Sequence, residues 1–457
     1  MLIRLTLDNV LSFNTEQEIL LTPGKNRNHL HHIIKGEKAR DIDILKAAVI
    51  YGANASGKSN LIKALALMQR IVLHGDSDTI VYDHFKLDGL AKDRASKLEV
   101  EFYINGRYFA YGFTFTRTKI ESEWLYTFNK EKDFKIFERT TKGKDVTVTF
   151  ENLKLSNREL NNLEFIGTLT KPAECFLHSL NNSNVDNLNG IDLLKDAYKW
   201  FSDSLTIIFP NTKFGGLEAN IASNQTYKIL FEWALDYFDT AIEGIESTEV
   251  DFYSSDVDLP KILKEQIQSD LKIGESGMIT AMNNLRFLIM KNDKGDISAS
   301  KIMTQRSAVN MDRKKINFEI SEESDGTQRI MDFIPAIAEL QKDYQVFLID
   351  EIERSLHVNL VSRFISMFFE HTKDVKSQLI VTTHESQLMD QSIIRKDEVW
   401  FVEKNKKGES ELKSLEEFVI RKDLDIMKSY LHDRFGAVPK FNSHKIVPMF
   451  GLLTNEN

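Results

Sequence analysis

The octapeptide Gly52-Ala53-Asn54-Ala55-Ser56-Gly57-Lys58-Ser59 has the spacing G-x-x-x-x-G-K-S. Glycines at the first and sixth positions let the backbone turn tightly, so that successive N–H groups converge on one point and cradle phosphate. Lys58 would reach the β- and γ-phosphates, and Ser59 would offer a hydroxyl to Mg2+. Asn54, Ala55, Ser56 and Asn60 complete the nucleotide-contacting stretch, and the helix that must follow adds a favourable dipole. A second group begins some 290 residues later. The apolar run Val346–Ile349 ends in Asp350 and Glu351. One carboxylate would hold the metal and its neighbour would polarise an attacking water, a pairing that points to hydrolysis of ATP rather than transfer to a second substrate. His384, at the end of IVTTHE, could contact the γ-phosphate or that water. Between the two groups, Ser324-Asp325-Gly326-Thr327-Gln328 is a polar turn opening an amphipathic helix, a second anion site. A chain that already owns one phosphate cradle has use for another if it closes over the γ-phosphate bound by a second copy.

These residues need particular elements to position them. ILKAAVIYG reads as a short buried strand feeding the glycine loop, and residues 58–73 carry apolar side chains at helical spacing. DYQVFLIDE and SQLIVTTHE are apolar strands ending in polar residues, as buried parallel strands do, and ligands bind beyond the carboxyl ends of such strands. LIRLTLDNV and EQEILLTP alternate. Residues 98–150 continue that alternation as an antiparallel meander, with a hairpin turn at Asn105-Gly106. The fold class is α/β, with an expected three-part division. Residues 1–150 form an N-terminal lobe. Residues 151–300 form a mostly helical insertion, a candidate partner or oligomerisation domain, on the strength of segments such as QTYKILFEWALDYFDTAI and LPKILKEQIQSDL. Residues 301–457 form a C-terminal lobe whose tail adds a strand, a polar turn and a helix. No heptad run, internal repeat or low-complexity tract interrupts this.

Composition narrows the class. Of 457 residues, 42% are apolar and 28% charged, and the formal net charge is −9. That balance fits a globular protein and gives no overall attraction to nucleic acid. A single cysteine, Cys175, rules out a disulfide framework and a cysteine-based zinc site, and reads as a small buried hydrophobe. No signal peptide is evident, and no apolar run approaches the ~18 residues that span a bilayer. The expected location is the cytoplasm, with no membrane partner. His29, His31 and His32 could ligate a metal, but no Cys, Asp or Glu accompanies them at ligand spacing, so a polar loop is the simpler reading. Arg306, Arg313, Lys314 and Lys315 could meet DNA phosphates, although a solvated face is the simpler reading here too.

The stretches LDNVLSFNTEQEI, GANASGKSN, SDGTQ, LIDEIERSLH and VTTHES, in this order, resemble the ABC-type ATPase heads of the RecF/SMC/OLD group. The tail elements IRKDEVWFVEK and YLHDRFGAVP resemble a narrower branch, the AAA-type ATP-binding proteins of prokaryotic anti-phage loci. Within it the chain is similar both to the ATPase subunit (AriA) of PARIS systems and to RloA-like ATPases. The resemblance covers essentially the whole chain and implies an ABC-type P-loop head. Gly52, Gly57, Lys58 and Ser59 correspond to the P-loop, Asp350 to the magnesium aspartate, Glu351 to the catalytic glutamate and His384 to the switch histidine. Ser324 and Gly326 correspond to the signature acting in trans, and Ser355-Leu356-His357 to the loop after the acidic strand. The signature reads SDGTQ rather than SGGQ. The glutamine that senses magnesium is unassigned: Gln69 is a poor candidate, and Phe85-Lys86-Leu87 is another.

The resemblance further implies ATP and Mg2+ as ligands and a homo-oligomer of ATP-sandwiched head dimers, a hexamer among the possible assemblies. It implies a separate Toprim-type (AriB-like) effector nuclease, held in a toxin–antitoxin-like arrangement and freed when a phage protein such as a DNA mimic is sensed. Only ~70 residues follow VTTHE, too few for an attached nuclease domain, which is why the effector is expected on another chain. A RecF/SMC-like role in DNA repair or chromosome maintenance is the alternative, and DNA as a partner stays open. A transporter ATPase is disfavoured by the insertion and by SDGTQ, and a kinase by the want of a base for a substrate hydroxyl.

Overall fold

The computed structural model describes residues 1–75, 78–183, 190–212, 225–282, 285–309, 314–340, 342–418, 426–432 and 434–435. The chain forms two compact units. The first comprises residues 1–208, 344–352 and 376–457, and the second residues 209–343 and 353–375.

At the centre of the first unit lies a six-stranded sheet in the order Leu205–Ile208, Val346–Ile349, Gln378–Thr383, Ala47–Tyr51, Val399–Lys404, Ser410–Ser414. The first five strands are mutually parallel and the last is antiparallel. Every residue of Ala47–Tyr51, Val346–Ile349 and Gln378–Thr383 is buried, which is why the first two read as near-continuous apolar runs and the third has the apolar centre Leu379–Val381. Both expected acidic and switch strands therefore lie on the same side of the P-loop strand. The tail differs from expectation. After Val399–Lys404 the chain turns and returns as a second strand, Ser410–Ser414, before the helix Ile426–Leu431.

A seven-stranded antiparallel sheet accompanies it, in the order Asp145–Phe150, Asp133–Lys142, Ile120–Phe128, Arg107–Phe115, Ser96–Ile104, Leu2–Asp8, Gln17–Leu20. Asn105 and Gly106 both take positive φ, 50° and 76°, between the paired residues Ile104 and Arg107, the two-residue turn that the Asn-Gly pair specifies. Buried Gln378 ties the two sheets together. Its side chain accepts from Leu2 N at 2.8 Å and donates to Leu2 O and Leu45 O, each at 2.9 Å. Phe102 stacks on Trp200 at 4.5 Å in the same core. Buried Glu123 accepts from the N–H groups of Phe176 and Leu177 at the start of helix Phe176–Asn181 and from the Tyr111 hydroxyl. Cys175 is buried beside this helix, and burial raises its thiol pKa, so it packs rather than reacts.

The second unit combines helices Gln225–Tyr237, Lys261–Asp270, Asp325–Glu339 and Val358–His371 with an antiparallel sheet. The sheet runs Gly244–Asp251, Ile297–Ser307, Arg286–Lys291, Ser276–Thr280, and Lys315–Glu319 pairs with the far half of the long strand Ile297–Ser307. Phe252, Val257, Phe287, Ile289 and Ala299 form its core, with Ile267 and Leu271 packed against them. Among the described residues, the expected insertion thus carries helices Asn157–Leu169, Phe176–Asn181, Asp192–Lys199 and Gln225–Tyr237, with strand Leu205–Ile208 among them, but is largely sheet from Gly244 onward. Strands such as GIESTEVD and ISASKIMTQRS leave most positions half-buried or exposed and intersperse Ser, Thr, Glu and Lys with the few buried residues, so their apolar period is weak. The unit boundaries also cut across the expected division: helices between 157 and 199 belong with the first unit, and 301–343 with the second. Among the described residues no helix is long and apolar enough to cross a membrane. Arg313, and residues 433 and 436–439 of the tail stretch YLHDRFGAVP, lie outside the described residues.

Candidate active site

The loop between strand Ala47–Tyr51 and helix Lys58–His74 is shaped by its two glycines. Gly57 has φ 120° and ψ 7°, a conformation that side chains rarely adopt, and a Cβ there would lie 2.2 Å from Ser410 Oγ. A Cβ on Gly52 would meet Ser56 Oγ at 2.4 Å and Val402 O at 2.6 Å. Ala55 adds a third turn residue at φ 63°. Lys58 folds over the loop and donates to Gly52 O at 2.7 Å and Ala53 O at 3.2 Å. Asn54 and Ala55 are exposed, while Ser56, Gly57 and Lys58 are buried. The cationic side chain is thus held by two carbonyl oxygens of its own loop.

Asp350 closes one side. Ser59 Oγ donates to Asp350 Oδ1 at 3.1 Å, and Thr382 Oγ1 donates to the same oxygen at 2.6 Å. The Thr382 hydroxyl also accepts from Glu351 N at 2.8 Å. One buried threonine on the neighbouring strand therefore fixes both acidic residues. Glu351 itself has φ 49°, which turns it away from the strand direction, and it is half-buried. His384 stands exposed just beyond the end of strand Gln378–Thr383, which pairs with the strand ending at Ile349. A hydroxyl and a carboxylate in contact at a helix start are hard oxygen donors of the kind Mg2+ takes while keeping several waters. The residues present thus fit Mg2+, with Ser59 and Asp350 as its holders.

The loop has further supports that sequence reasoning missed. Asn60 Nδ2 donates to Ser12 Oγ at 2.9 Å, Ser12 and Ser410 hydroxyls lie 2.8 Å apart, and Ser410 Oγ donates to Ser56 O at 2.6 Å. Ser410 N also donates to Ser12 O at 2.8 Å. The N-terminal segment and the tail hairpin together brace the P-loop from behind. Ser12 lies within the resemblance-bearing stretch LDNVLSFNTEQEI, but nothing in its pattern marks the contact.

The signature-like turn belongs to the second unit. Ser324 caps helix Asp325–Glu339, accepting from Thr327 N at 3.1 Å, and its hydroxyl lies 3.0 Å from Thr327 Oγ1. Gln328 Nε2 donates to Glu323 O at 2.9 Å. Ser324 and Asp325 are exposed and Gly326 half-buried. A Cβ on Gly326 would sit 2.7 Å from Ser355 O, so this glycine lets the turn lie directly on the loop after the acidic strand. Burial opposes ionisation of Glu323, but Arg306, with both terminal nitrogens on the carboxylate at 2.6 and 2.7 Å, and Thr304 outweigh it and hold its pKa below the usual range.

Other candidates resolve differently. Gln69 Nε2 donates to Phe201 O and Leu205 O, each at 2.8 Å, and so anchors the edge strand Leu205–Ile208. Phe85 is buried, Lys86 pairs with Asp83 at 3.0 Å, and Leu87 is exposed. In the basic cluster, Arg306 is engaged by Glu323 and Lys315 by Glu243. Contrary to expectation, the histidine cluster does have a carboxylate beside it. Glu398 lies 2.9 Å from His32 Nδ1, brought there by the fold from 366 residues away.

The P-loop between strand Ala47–Tyr51 and helix Lys58–His74, with Asp350 and Glu351 following the parallel strand Val346–Ile349, is the arrangement of a P-loop ATPase. Residues 47–173 and 234–390 match the family described as "AAA domain, putative AbiEii toxin, Type IV TA system", and the chain belongs to that family. No curated protein matches it. Among solved structures it is similar to an SMC head domain from Thermotoga maritima at 12% identity and a TM-score of 0.35, covering 90% of this chain and 98% of that one. It is also similar to an Smc head domain with an extended coiled coil, bound to the C-terminal domain of ScpA derived from Pyrococcus furiosus. There the identity is 14% and the TM-score 0.38, with 95% of this chain and 99% of that one covered.

Proposed function

We propose that this ATPase is the sensor of an anti-phage defence system, built as an ABC-type head and working in the cytoplasm. Two copies clasp ATP, each placing its Ser324–Gln328 turn against the triphosphate held on the other's P-loop. The closed assembly, a dimer or a larger ring such as a hexamer, holds a separate Toprim-type effector nuclease of the AriB kind and releases it on meeting a phage protein such as a DNA mimic. The family's description as a toxin of a type IV toxin–antitoxin system supports a defence role. The observation that supports the sandwich is that each unit has a helix start of the kind that binds anions: Lys58–His74 with a lysine, and Asp325–Glu339 with an exposed serine cap.

The chemistry follows from the site. Backbone N–H groups of the loop and Lys58 bind the phosphates and orient them. Ser59 and Asp350 would hold Mg2+, which when bound would supply neutralisation of the phosphate charge. Glu351, its backbone fixed by Thr382, takes the proton of the attacking water, and His384 steadies that water or the γ-phosphate. ATP favours the closed pair because the trans contacts exist in that state alone, and hydrolysis removes them. Glu351→Gln tests this directly. The variant should bind ATP, lose hydrolysis by about three orders of magnitude, and sediment as a dimer or larger with ATP but not ADP; a monomer at saturating ATP overturns the sandwich. Hydrolysis stimulated by duplex DNA, with a steep salt dependence, would move the conclusion to a RecF/SMC-like role.

A further inference from the structure

We propose that His29, His31 and His32 form a binding site for a divalent transition-metal ion of the zinc class, with Glu398 as its outer-sphere partner. One nitrogen from each imidazole lies within 4.8 Å of the other two, the closest such group of potential ligands among the described residues. His29 and His32 stack with centroids 4.9 Å apart, and His31 stands edge-on to His32 at 4.4 Å. The surroundings orient two of the rings. His29 Nε2 lies 2.8 Å from the carbonyl oxygen of Gln391. A carbonyl only accepts, so Nε2 carries the proton and Nδ1 presents the lone pair. His32 Nδ1 lies 2.9 and 3.2 Å from the two oxygens of buried Glu398. With the proton between Nδ1 and the carboxylate, His32 Nε2 becomes the ligand atom. This is the carboxylate–histidine arrangement that sets ring orientation and raises ligand basicity at metal centres.

Tetrahedral Zn–N bonds of about 2.0–2.1 Å put the nitrogens about 3.3 Å apart, so separations of up to 4.8 Å must shorten by up to roughly 1.5 Å. His31 is exposed, so its side chain is able to supply that movement. Three imidazoles suit zinc, cobalt, nickel or copper and not magnesium, which separates this site chemically from Ser59 and Asp350. Its place in the fold gives the ion a structural role. It would staple the loop before Ile33–Ile34 to the turn 391–398, and that turn leads into Val399–Lys404, the strand beside the P-loop strand.

The test uses the full chain without a histidine tag, stripped with chelator and titrated with Co2+ alone. The expected result is one equivalent bound with visible ligand-field bands of a tetrahedral site, displaced by Zn2+. Asp350→Asn should leave that binding unchanged. His31→Ala, which alters an exposed side chain, should weaken it at least tenfold, and Glu398→Gln by about 10- to 100-fold. Absence of the bands, or equal affinity in wild type, His29→Ala and His31→Ala, overturns the proposal.

Discussion

Ser410→Ala removes one hydroxyl from the brace behind the P-loop, and its consequence can be worked from the contacts. The order of donors is fixed at its two ends. Asn60 must donate to Ser12, and the Ser56 carbonyl must accept from Ser410, so the Ser12 proton points to Ser410. Alanine at 410 deletes two hydrogen bonds in a buried position. At about 1 kcal/mol net each, the loss is about 2 kcal/mol. Placed wholly on the nucleotide-bound loop, that raises the Kd for ATP by about 30-fold; shared equally with the free loop, by about fivefold. Calorimetric titration with ATP in the presence of Mg2+, on a background of Glu351→Gln to prevent turnover, reads the change. Thermal unfolding of the same samples shows whether the fold is intact. A Kd within twofold of the parent, with an unchanged melting temperature, would mean that the loop holds its shape without the tail hairpin, and the reasoning would fail.

Thr382→Val keeps volume but strips the hydroxyl shared by Asp350 and Glu351; kcat should fall by about 10- to 100-fold, with a smaller rise in KM, because the glutamate loses its fixed backbone more than the phosphates lose their cradle. Gly326→Ala pushes a Cβ to 2.7 Å from Ser355 O, so ATP-dependent association in the sedimentation assay should be lost while one chain still binds ATP. Glu323 has a depressed pKa in the folded state, so its contribution to stability is full above the unfolded carboxyl pKa near 4.5 and disappears as pH falls through the lower folded value. Arg306→Ala should therefore flatten the acid side of the melting temperature profile below pH ~4.5, and an unchanged profile would remove the pair from the account. Glu123→Ala strips the acceptor from two N–H groups and a tyrosine in a fully buried site, and should destabilise by about 3–5 kcal/mol, read as a large drop in melting temperature.

The P-loop was legible because its motif specifies a backbone. Only glycine serves at φ 120°, and only a buried strand followed by a helix gives the loop that shape. The strands that lead to Asp350 and His384 were legible for a related reason: segments buried on every residue announce themselves. Ser12 and Ser410 carry no such mark. They are small polar residues 398 positions apart, and their contact depends on the antiparallel return of the tail, whose second strand SELKS has no apolar alternation. Glu398 was invisible to the histidine cluster for the same reason, since ligand spacing along the chain says nothing about a residue delivered by the fold from 366 positions away. The sheet of the second unit was obscured by Ser, Thr and Glu at positions where a more apolar strand would have shown its period.

Two adjacent carboxylates cannot serve two roles if they point alike, and the backbone here separates them. Asp350 continues the strand, is buried, and is bound by two hydroxyls that hold its oxygen toward the start of the P-loop helix. Glu351 then turns through φ 49°, a left-handed conformation that costs a residue with a side chain about 1–2 kcal/mol. Glycine would remove that cost and would also serve as a turn. A glutamate stands there instead, with its N–H tied to Thr382, and under the proposed function the strain is carried for the sake of its carboxylate. One threonine on the neighbouring strand thus holds both the carboxylate of Asp350 and the backbone N–H of Glu351, so the two roles proposed for these residues depend on a single side chain.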